Sequence, residues 1–500
     1  MTADLELSCL GDCLKYHQLG PGALRFTTHP HLRTQVVMAK KNTTSRKSKS
    51  KAPKSVLERI NPNAAGIDIG ANFHFVAIPE DRPEENIKKF GPFTSDLHRL
   101  ADWLAEHHIE TVVMESTGVY WIPVFQILEQ RGFEVKLVNA AQVKNLPGRK
   151  SDVSDCQWLQ QLHTFGLLNG SFRPKDEVCV LRTFLRLRDT LVKDCGSHVL
   201  RMQKALTEMN VQIHRVLSDI TGYTGMAIIR AILTGERNAL TLAQMKHPQV
   251  KASTEQIVKA LEGDYRPEHL FALQTAVELY DAYHLKITES ENKIEQQLEQ
   301  FETKLDFEQV LEQSGALKVR SAKVRLELQR QAYLTSVCGV DLTRLPGLST
   351  LAVEVIISET GLDMSCWKSE KHFCSWLKVC PDNRISGGKV LSSKSRKTKN
   401  RAAGMFRLAA QGAMQSKTAI GAFIRRIRAR LGAPTAINAG ANKLARLFYR
   451  MLKFGAAYVE QGQTYYEQRY KDRLLHNLNK RAKELGFQLT PCQPATVSVS

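Results

Sequence analysis

Two long stretches of the chain repeat apolar residues at steps of three, four and seven. The first runs from Leu181 to Val216 and the second from Tyr280 to Leu305. This spacing is typical of helices that bury one stripe, and a first helix of about 37 residues would reach ~55 Å at about 1.5 Å per residue. We expect a long helical middle region. Its two stripes form a coiled coil between chains or pack together within one chain.

The region from Ala64 to about Pro174 alternates short apolar runs with helical patterns. Predicted strands cover residues 64–70, 72–79, 111–116 and 135–139, and predicted helices cover 95–108, 120–130 and a segment from about 151 onward. Ser95 is the expected N-cap of the first of these helices. Hairpin strands followed by alternating strands and helices predict a mixed α/β sheet.

After Val340 the chain is predicted to be mainly helical. The segment LPGLSTLAVEVIISETG resembles one half of a helix-hairpin-helix, with a Pro-Gly turn whose backbone amides can face a phosphate and a small Ala352 that allows close packing. Residues 381–404 are expected to form a loop, and residues 465–486 a basic helix. Residues 221–241 are rich in Gly and Thr and are expected to break the helical middle region.

The charge balance indicates a polyanionic partner. The chain has 70 Lys and Arg against 50 Asp and Glu, a net charge of +20. Neither a membrane span nor a secretory signal is expected, because no run of 18 apolar residues occurs. The basic segment from Lys40 to Lys54 is either a solvated tail or a nucleic-acid-binding arm, and Met38 marks a possible natural start.

Four carboxylates are the candidate catalytic residues of the α/β region. Asp68 lies within the first predicted strand, Glu115 ends a neighbouring strand, and Asp152 and Asp155 share one face at a helix start. Such a set could hold two Mg²⁺ ions about 3.5–4 Å apart for phosphodiester chemistry. Alternatively, Asp68 is an ordinary acid beside a turn, Glu115 opens a helix, and Asp152 caps a helix with Asp155 in its first turn.

A second candidate site surrounds Ser386. The stretch from Arg384 to Arg401 has seven basic residues and no acidic one, which is typical of a phosphate clamp. Gly387 and Gly388 would let the backbone approach a phosphate, although Ser-Gly-Gly is also ordinary turn chemistry. The residues expected to contact nucleic acid are Arg384, Gly387, Gly388, Lys389, Lys394 and Arg396 here, and Arg182 and Arg186 on the first long helix.

Five motifs follow one another along the chain: GIDIG, VVMESTGVYWIP, GRKSDVSDCQWLQQLHTFGLLNGSFRP, LPGLSTLAVEVIISETG and PDNRISGGKV. In this order they resemble the insertion-sequence transposases with an N-terminal RuvC-like DEDD domain and a C-terminal serine-bearing domain, described as bridge-RNA-guided recombinases. Ser151 stands where Thr is expected in that pattern, and the extension before Met38 has no evident counterpart in it.

The resemblance implies a RuvC-like, RNase H-fold domain at residues 61–175, a helical coiled-coil region at 176–335, a serine transposase domain at 336–460 and a basic helical tail at 461–500, after a basic extension at 1–60. It implies that Asp68, Glu115, Asp152 and Asp155 bind Mg²⁺ and that Ser386 is the nucleophile. The fold class is thus α/β plus α.

The expected activity is DNA transposition by metal-assisted transesterification at a serine, on donor and target DNA and directed by a guide RNA. The resemblance also implies a dimer or tetramer, acting in the bacterial cytoplasm at the nucleoid. One alternative is an RNase H-like metal-dependent nuclease or Holliday-junction resolvase without serine chemistry. Another is a nucleic-acid-binding scaffold whose carboxylates are helix caps.

Overall fold

The computed structural model describes residues 58–82, 86–139, 152–455 and 461–490. Most of the predicted basic extension, and Ser151, lie outside the described residues. The chain divides into two compact units, residues 1–170 and 171–500. The first contains a mixed sheet and the second is mostly helical, so the expected order of a mixed sheet followed by helices is confirmed.

The sheet of the first unit has the strand order β3-β2-β1-β4-β5. Strands β1, β2 and β3 pair antiparallel, whereas β1, β4 and β5 pair parallel. The strand bounds are Ala64–Ile69 for β1, His74–Ala77 for β2, Ile87–Phe90 for β3, Thr111–Glu115 for β4 and Glu134–Val138 for β5. The sequence did not predict β3, since this short edge strand carries two adjacent exposed lysines in place of an apolar run.

Helices cover both faces of this sheet. Helices α1 (Thr94–Glu106) and α2 (Trp121–Gln130) share a core with alternate residues of β1 and β4. Helix α3 (Asp152–Thr164) packs on the opposite face, where its Leu159 contacts β4 and β5. The prediction that Ser95 caps α1 is wrong, because the N-cap is Phe93 and makes no side-chain capping bond.

The second unit contains thirteen further α-helices within its described residues. They are α4 Asp176–Glu208, α5 Tyr223–Leu233, α6 Ala239–Gln244, α7 Thr254–Leu261, α8 Pro267–Leu298, α9 Phe307–Ser314, α10 Ala322–Cys338, α11 Thr350–Thr360, α12 Glu370–Trp376, α13 Arg401–Ala413, α14 Ala419–Leu431, α15 Ala433–Phe454 and α16 Gly462–Glu484. The expected break at residues 221–241 does fall between α4 and α8, but it contains the short helix α5, which buries three isoleucines in the local core. Across the described segments, no helix combines the length and apolar character of a membrane span.

The two long apolar stripes pack together within one chain. Leu181, near the start of α4, shares a core with Ile294, near the end of α8. Met202, near the end of α4, shares another with Leu273, near the start of α8. The helices therefore run antiparallel and pack within one chain, and this packing is the second of the two arrangements that the sequence left open. Most of each stripe is covered in this way, whereas Val192 and Leu305 are exposed.

Helix α11 is buried along most of its length. The turn before it approaches α13 closely: Gly347 has a φ of +83°, and a Cβ at this position would lie 2.2 Å from the Ala409 carbonyl oxygen. Ala352 is buried, in keeping with the close packing expected of it. The Pro-Gly turn thus has a packing role in the unit, and its contact with phosphate stays a prediction.

Candidate active site and nucleic-acid interface

Asp68 and Glu115 lie on neighbouring parallel strands at the same edge of the sheet. Ile67 of β1 pairs with Met114 of β4, so the next residue on each strand is one of the two acids. Both are half-buried. Side chains alternate along a strand, and therefore both carboxylates belong to the face on which Val113 and α3 pack.

Close packing fixes α3 against β1. A Cβ on Gly66 would lie 2.4 Å from the Gln160 backbone nitrogen and 2.5 Å from the Cys156 carbonyl oxygen. The Gln160 side-chain amide donates to the Ala64 carbonyl at 3.2 Å. Only glycine allows this approach, and it places α3 directly over the face that carries Asp68.

Asp155 lies in the first turn of α3 and is half-buried. The neighbouring Cys156 thiol has its pKa raised to about 12, chiefly by burial and further by the negative charges of Asp68 and Asp155. The charges of both carboxylates thus act on the same thiol. Asp152 is the first residue of α3, and its side chain lies outside the described part of the structure.

The opposite end of α3 is held by a buried histidine. His163 Nε2 lies 2.9 Å from Thr111 Oγ1 on β4. The pKa of His163 is lowered to about 4, first by burial and then by the charge of Lys136, so the ring is neutral near pH 7. The Asn61 side chain donates to the His163 carbonyl at 2.7 Å. The contact with Thr111 holds this end of the helix against β4, the strand that ends at Glu115.

The candidate metal ligands fit a divalent cation by their chemistry, since carboxylate oxygens are the donors that Mg²⁺ takes. Asp68, Glu115 and Asp155 lie on one face of one unit. Among the described side chains, however, no group of three acids, histidines or cysteines already stands close enough to hold a metal ion. The complete tetrad therefore stays a prediction, and so does its use of two ions.

Sequence reasoning missed Gly66, Gln160 and His163, which position the carboxylates. A glycine inside a predicted strand is the usual signal of close backbone approach, and Gly66 in AAGIDIG gives that signal. The two polar residues gave none, because a buried glutamine or histidine on a helix resembles any exposed one until its partner is known.

Ser386 lies on a β-hairpin rather than in the expected loop. Strands β6 (Arg384–Ser386) and β7 (Lys389–Ser392) pair antiparallel, with Ser386 opposite Lys389. Gly387 and Gly388 are the two turn residues, with φ values of +53° and +76°. A two-residue hairpin turn of type I′ requires positive φ at both positions, so the glycines serve the turn, and Ser386 is exposed at the hairpin tip.

The base of the hairpin is tied to the helical core. The Asn438 side chain on α15 donates to the Ser395 hydroxyl at 2.6 Å and to the Val379 carbonyl at 3.1 Å. Val379 is buried, and Pro381 bridges to Ser395. The tip thus projects from an anchored base.

The basic residues predicted to bind nucleic acid differ in their protein contacts. Arg384, Lys389 and Lys394 are exposed. Arg396 pairs with Asp382 at 2.9 Å, and this bond lowers the pKa of the Asp382 carboxyl.

On α4, the two predicted arginines face an acid of the same unit. Arg186 donates to both carboxylate oxygens of Glu359, at 2.8 and 3.0 Å. Arg182 donates to the Ser358 carbonyl at 2.9 Å. These contacts join α4 to α11. Nucleic-acid binding by Arg182 and Arg186 stays a prediction.

Two family models match the chain. A transposase model for the DEDD domain of IS110 elements matches residues 65–211, which include Asp68, Glu115, Asp152 and Asp155. A model described as transposase IS116/IS110/IS902 family matches residues 341–425, which include Ser386. Both models describe IS110-family transposases, which the chain resembles over these two regions. The two domains support DNA transposase function, that of an enzyme that cleaves and recombines DNA. A comparison with curated proteins finds no match.

Proposed function

We propose that this IS110-family transposase cuts and rejoins DNA through a covalent link to Ser386, assisted by divalent metal at the carboxylates of the first unit. The observation that carries the proposal is the exposed Ser386 hydroxyl at the tip of a basic hairpin. A hydroxyl in that position can meet a phosphodiester without any rearrangement of the core.

In the proposed step, Ser386 Oγ attacks the scissile phosphorus. An Oγ–P bond forms, and the bond from phosphorus to one DNA oxygen breaks. The serine hydroxyl loses one proton and the leaving DNA oxygen gains one, so that it departs as a hydroxyl. Attack by another DNA hydroxyl on the phosphoserine reverses the step. The phosphoester bond is preserved throughout, so rejoining requires no nucleotide cofactor.

Asp68, Glu115, Asp152 and Asp155 would hold the divalent metal. When bound, Mg²⁺ supplies Lewis-acid polarisation of a phosphate oxygen. This part of the proposal is supported by the shared sheet face of the described carboxylates and by the match of residues 65–211 to the DEDD transposase model.

The cations around Ser386 have an electrostatic role. Arg384 and Lys389 flank the serine and the turn, and Lys394 follows β7. A phosphodiester under attack gains negative charge, and nearby cations offset it. The same side chains hold the DNA backbone against the hairpin tip.

The test is a plasmid excision assay combined with a search for protein–DNA adducts by denaturing electrophoresis. Ser386→Ala should remove both the adduct and recombination, while Ser393→Ala, an exposed serine just beyond the hairpin, should leave both at the wild-type level. Asp68→Asn should abolish recombination. Wild-type recombination by Ser386→Ala would exclude serine chemistry.

A second candidate is a metal-dependent nuclease or resolvase in which water replaces the serine. The observation that favours it is that the carboxylates lie within one compact unit that does not contain Ser386. Under this alternative Ser386→Ala stays active while Asp68→Asn does not. Activity of both variants would exclude both enzyme models and leave either a binding scaffold or an active site at other residues.

The proposal extends to a guide RNA and to a dimer or tetramer. The net charge of +20 supports a second polyanion beside DNA. Protein purified at low salt should carry nuclease-sensitive RNA, seen as an absorbance ratio at 260 to 280 nm well above that of protein alone. Sedimentation before and after nuclease treatment should show more than one chain per particle.

A further inference from the structure

The hairpin that carries Ser386 exposes aliphatic side chains that no other described part of the chain covers. Ile385, Val390 and Leu391 are 62%, 58% and 70% exposed. A short two-stranded hairpin gains little stability from such residues unless something covers them. Their exposure therefore indicates a contact made outside the folded chain.

The strand register places these side chains and the serine on different faces of the hairpin. Ile385 pairs with Val390, and Ser386 pairs with Lys389. Successive residues of a strand point to opposite faces, so the apolar pair lies on one face while the serine and lysine lie on the other. Arg384 pairs with Ser392, which leaves Leu391 as the extra residue of a β-bulge beside the apolar pair.

The charge around this patch favours one occupant. Seven basic residues and no acidic ones occur between Arg384 and Arg401. A second copy of the chain would bring the same positive charge to the contact and would be repelled, whereas DNA brings phosphates. DNA also offers apolar surface, in thymine methyl groups and in base faces that proteins reach with aliphatic wedges.

We infer that the apolar face of the hairpin, Ile385, Val390 and Leu391, packs against the bases of the DNA strand that Ser386 attacks. The cations bind the DNA backbone. The aliphatic side chains pack against the bases and so determine how far the hairpin enters the DNA, while the serine on the opposite face contacts the scissile phosphate. A two-stranded ribbon is narrow enough to enter a DNA groove. The inference rests on the proposed function, because it takes DNA as the substrate of Ser386.

The test compares variants of the full chain, after nuclease treatment, for binding to a fluorescent 30-base-pair DNA duplex at several salt concentrations. The triple variant Ile385→Thr, Val390→Thr and Leu391→Thr keeps β-branched residues in the strands and removes the apolar face. A second triple variant, Ile385→Val, Val390→Ile and Leu391→Ile, keeps that face apolar. Leu408→Gln, on α13, is the control, because Leu408 is 60% exposed outside the hairpin.

The threonine variant should bind DNA about tenfold more weakly, with an unchanged slope of log affinity against log salt, because it loses no charge. Lys389→Gln should instead reduce that slope by about 0.9. The apolar triple variant and Leu408→Gln should bind like wild type. Hydrogen exchange across residues 384–392 should show the same protection in both triple variants.

Wild-type affinity of the threonine variant would overturn the inference, as would an equal loss in Leu408→Gln. Weaker binding to an RNA duplex of the same sequence, with DNA binding intact, would assign the patch to RNA. A changed sedimentation coefficient with DNA binding intact would assign it to a second copy. Failure of the serine chemistry is separate: it appears as recombination by Ser386→Ala, whatever the threonine variant binds.

Discussion

The sheet face that carries Asp68 and Glu115 is covered by a closely packed helix, whereas the hairpin that carries Ser386 stands exposed beyond an anchored base. In the first region the position of each acid depends on contacts between residues that are far apart in sequence, such as Gly66 with Gln160. In the second region the position of Ser386 depends on two adjacent glycines and one strand pair.

The difference shows that the two regions should respond to mutation in opposite ways. Changes at buried contacts of the first region should alter stability and displace the carboxylates together. Changes in the hairpin should alter reactivity or DNA binding while the core stays folded. The following predictions test this contrast, from the largest expected effect to the smallest.

Gly66→Val should have the largest effect. Its side chain would meet the backbone of α3, which cannot move aside without leaving the sheet, so we expect a loss of about 3 kcal/mol of unfolding free energy and no recombination. Urea unfolding and the excision assay measure both. Gly170→Ala is the matched control, since nothing lies within 4 Å of an added Cβ there. Wild-type stability of Gly66→Val would disprove close packing of α3 on β1.

His163 should make the first unit sensitive to acid. The unfolded histidine binds a proton near pH 6.5, but the folded one binds it only near pH 4. Stability is therefore complete above pH 6.5 and is lost as pH falls towards 4, by about 2 kcal/mol between pH 6.5 and 5. Hydrogen exchange of residues 152–164, corrected for the intrinsic rate, should report this loss. His163→Gln should remove it, and His98→Gln, at an exposed site, should not.

Gly388→Ala should impair the hairpin without unfolding the core. Its φ of +76° is strained for any residue with a Cβ, at a cost of about 1–2 kcal/mol. We expect reduced excision with an unchanged urea midpoint. Gly388→Asn should recover part of the activity, because asparagine tolerates this conformation, and Gly404→Ala on α13 should have no such effect. Full activity of Gly388→Ala would show that the turn geometry is not needed.

Asn438→Ala should have the smallest effect. It removes two hydrogen bonds at the hairpin base, each contributing about 0.5–1.5 kcal/mol. Faster hydrogen exchange at residues 381–396 and a several-fold loss of excision are expected. Gln411→Ala, an exposed helical site, is the control. Equal exchange rates in the two variants would mean that the base is anchored elsewhere.

Much of the fold could be predicted because local patterns determine it. The strands at residues 64–70 and 111–116 and the helix at 120–130 agree with β1, β4 and α2 to within one residue at either end. The errors arose where a neighbour in space decided the outcome. The Gly- and Thr-containing stretch became α5 because its isoleucines face a core that α4 and α8 provide.

The candidate site was predicted unevenly for the same reason. The four acids and Ser386 were predicted as site residues from motifs, and their roles stay predictions, whereas their surroundings gave no signal in the sequence. The hairpin was expected as a loop because its strands are three and four residues long and lack an apolar alternation. The contacts of Arg182 and Arg186 with α11 cross more than 170 positions of sequence.

The sequence by itself determined the mixed α/β region, the helical remainder, the positive charge and the motifs that resemble insertion-sequence transposases, because periodicity, composition and residue order are local properties of a chain. Only the tertiary structure decided that the two stripes pair within one chain, that a glycine fixes α3 over the carboxylates, and that Ser386 lies on a hairpin with an apolar face. These features depend on which distant residues meet, and on the volume, charge and hydrogen bonds available where they meet.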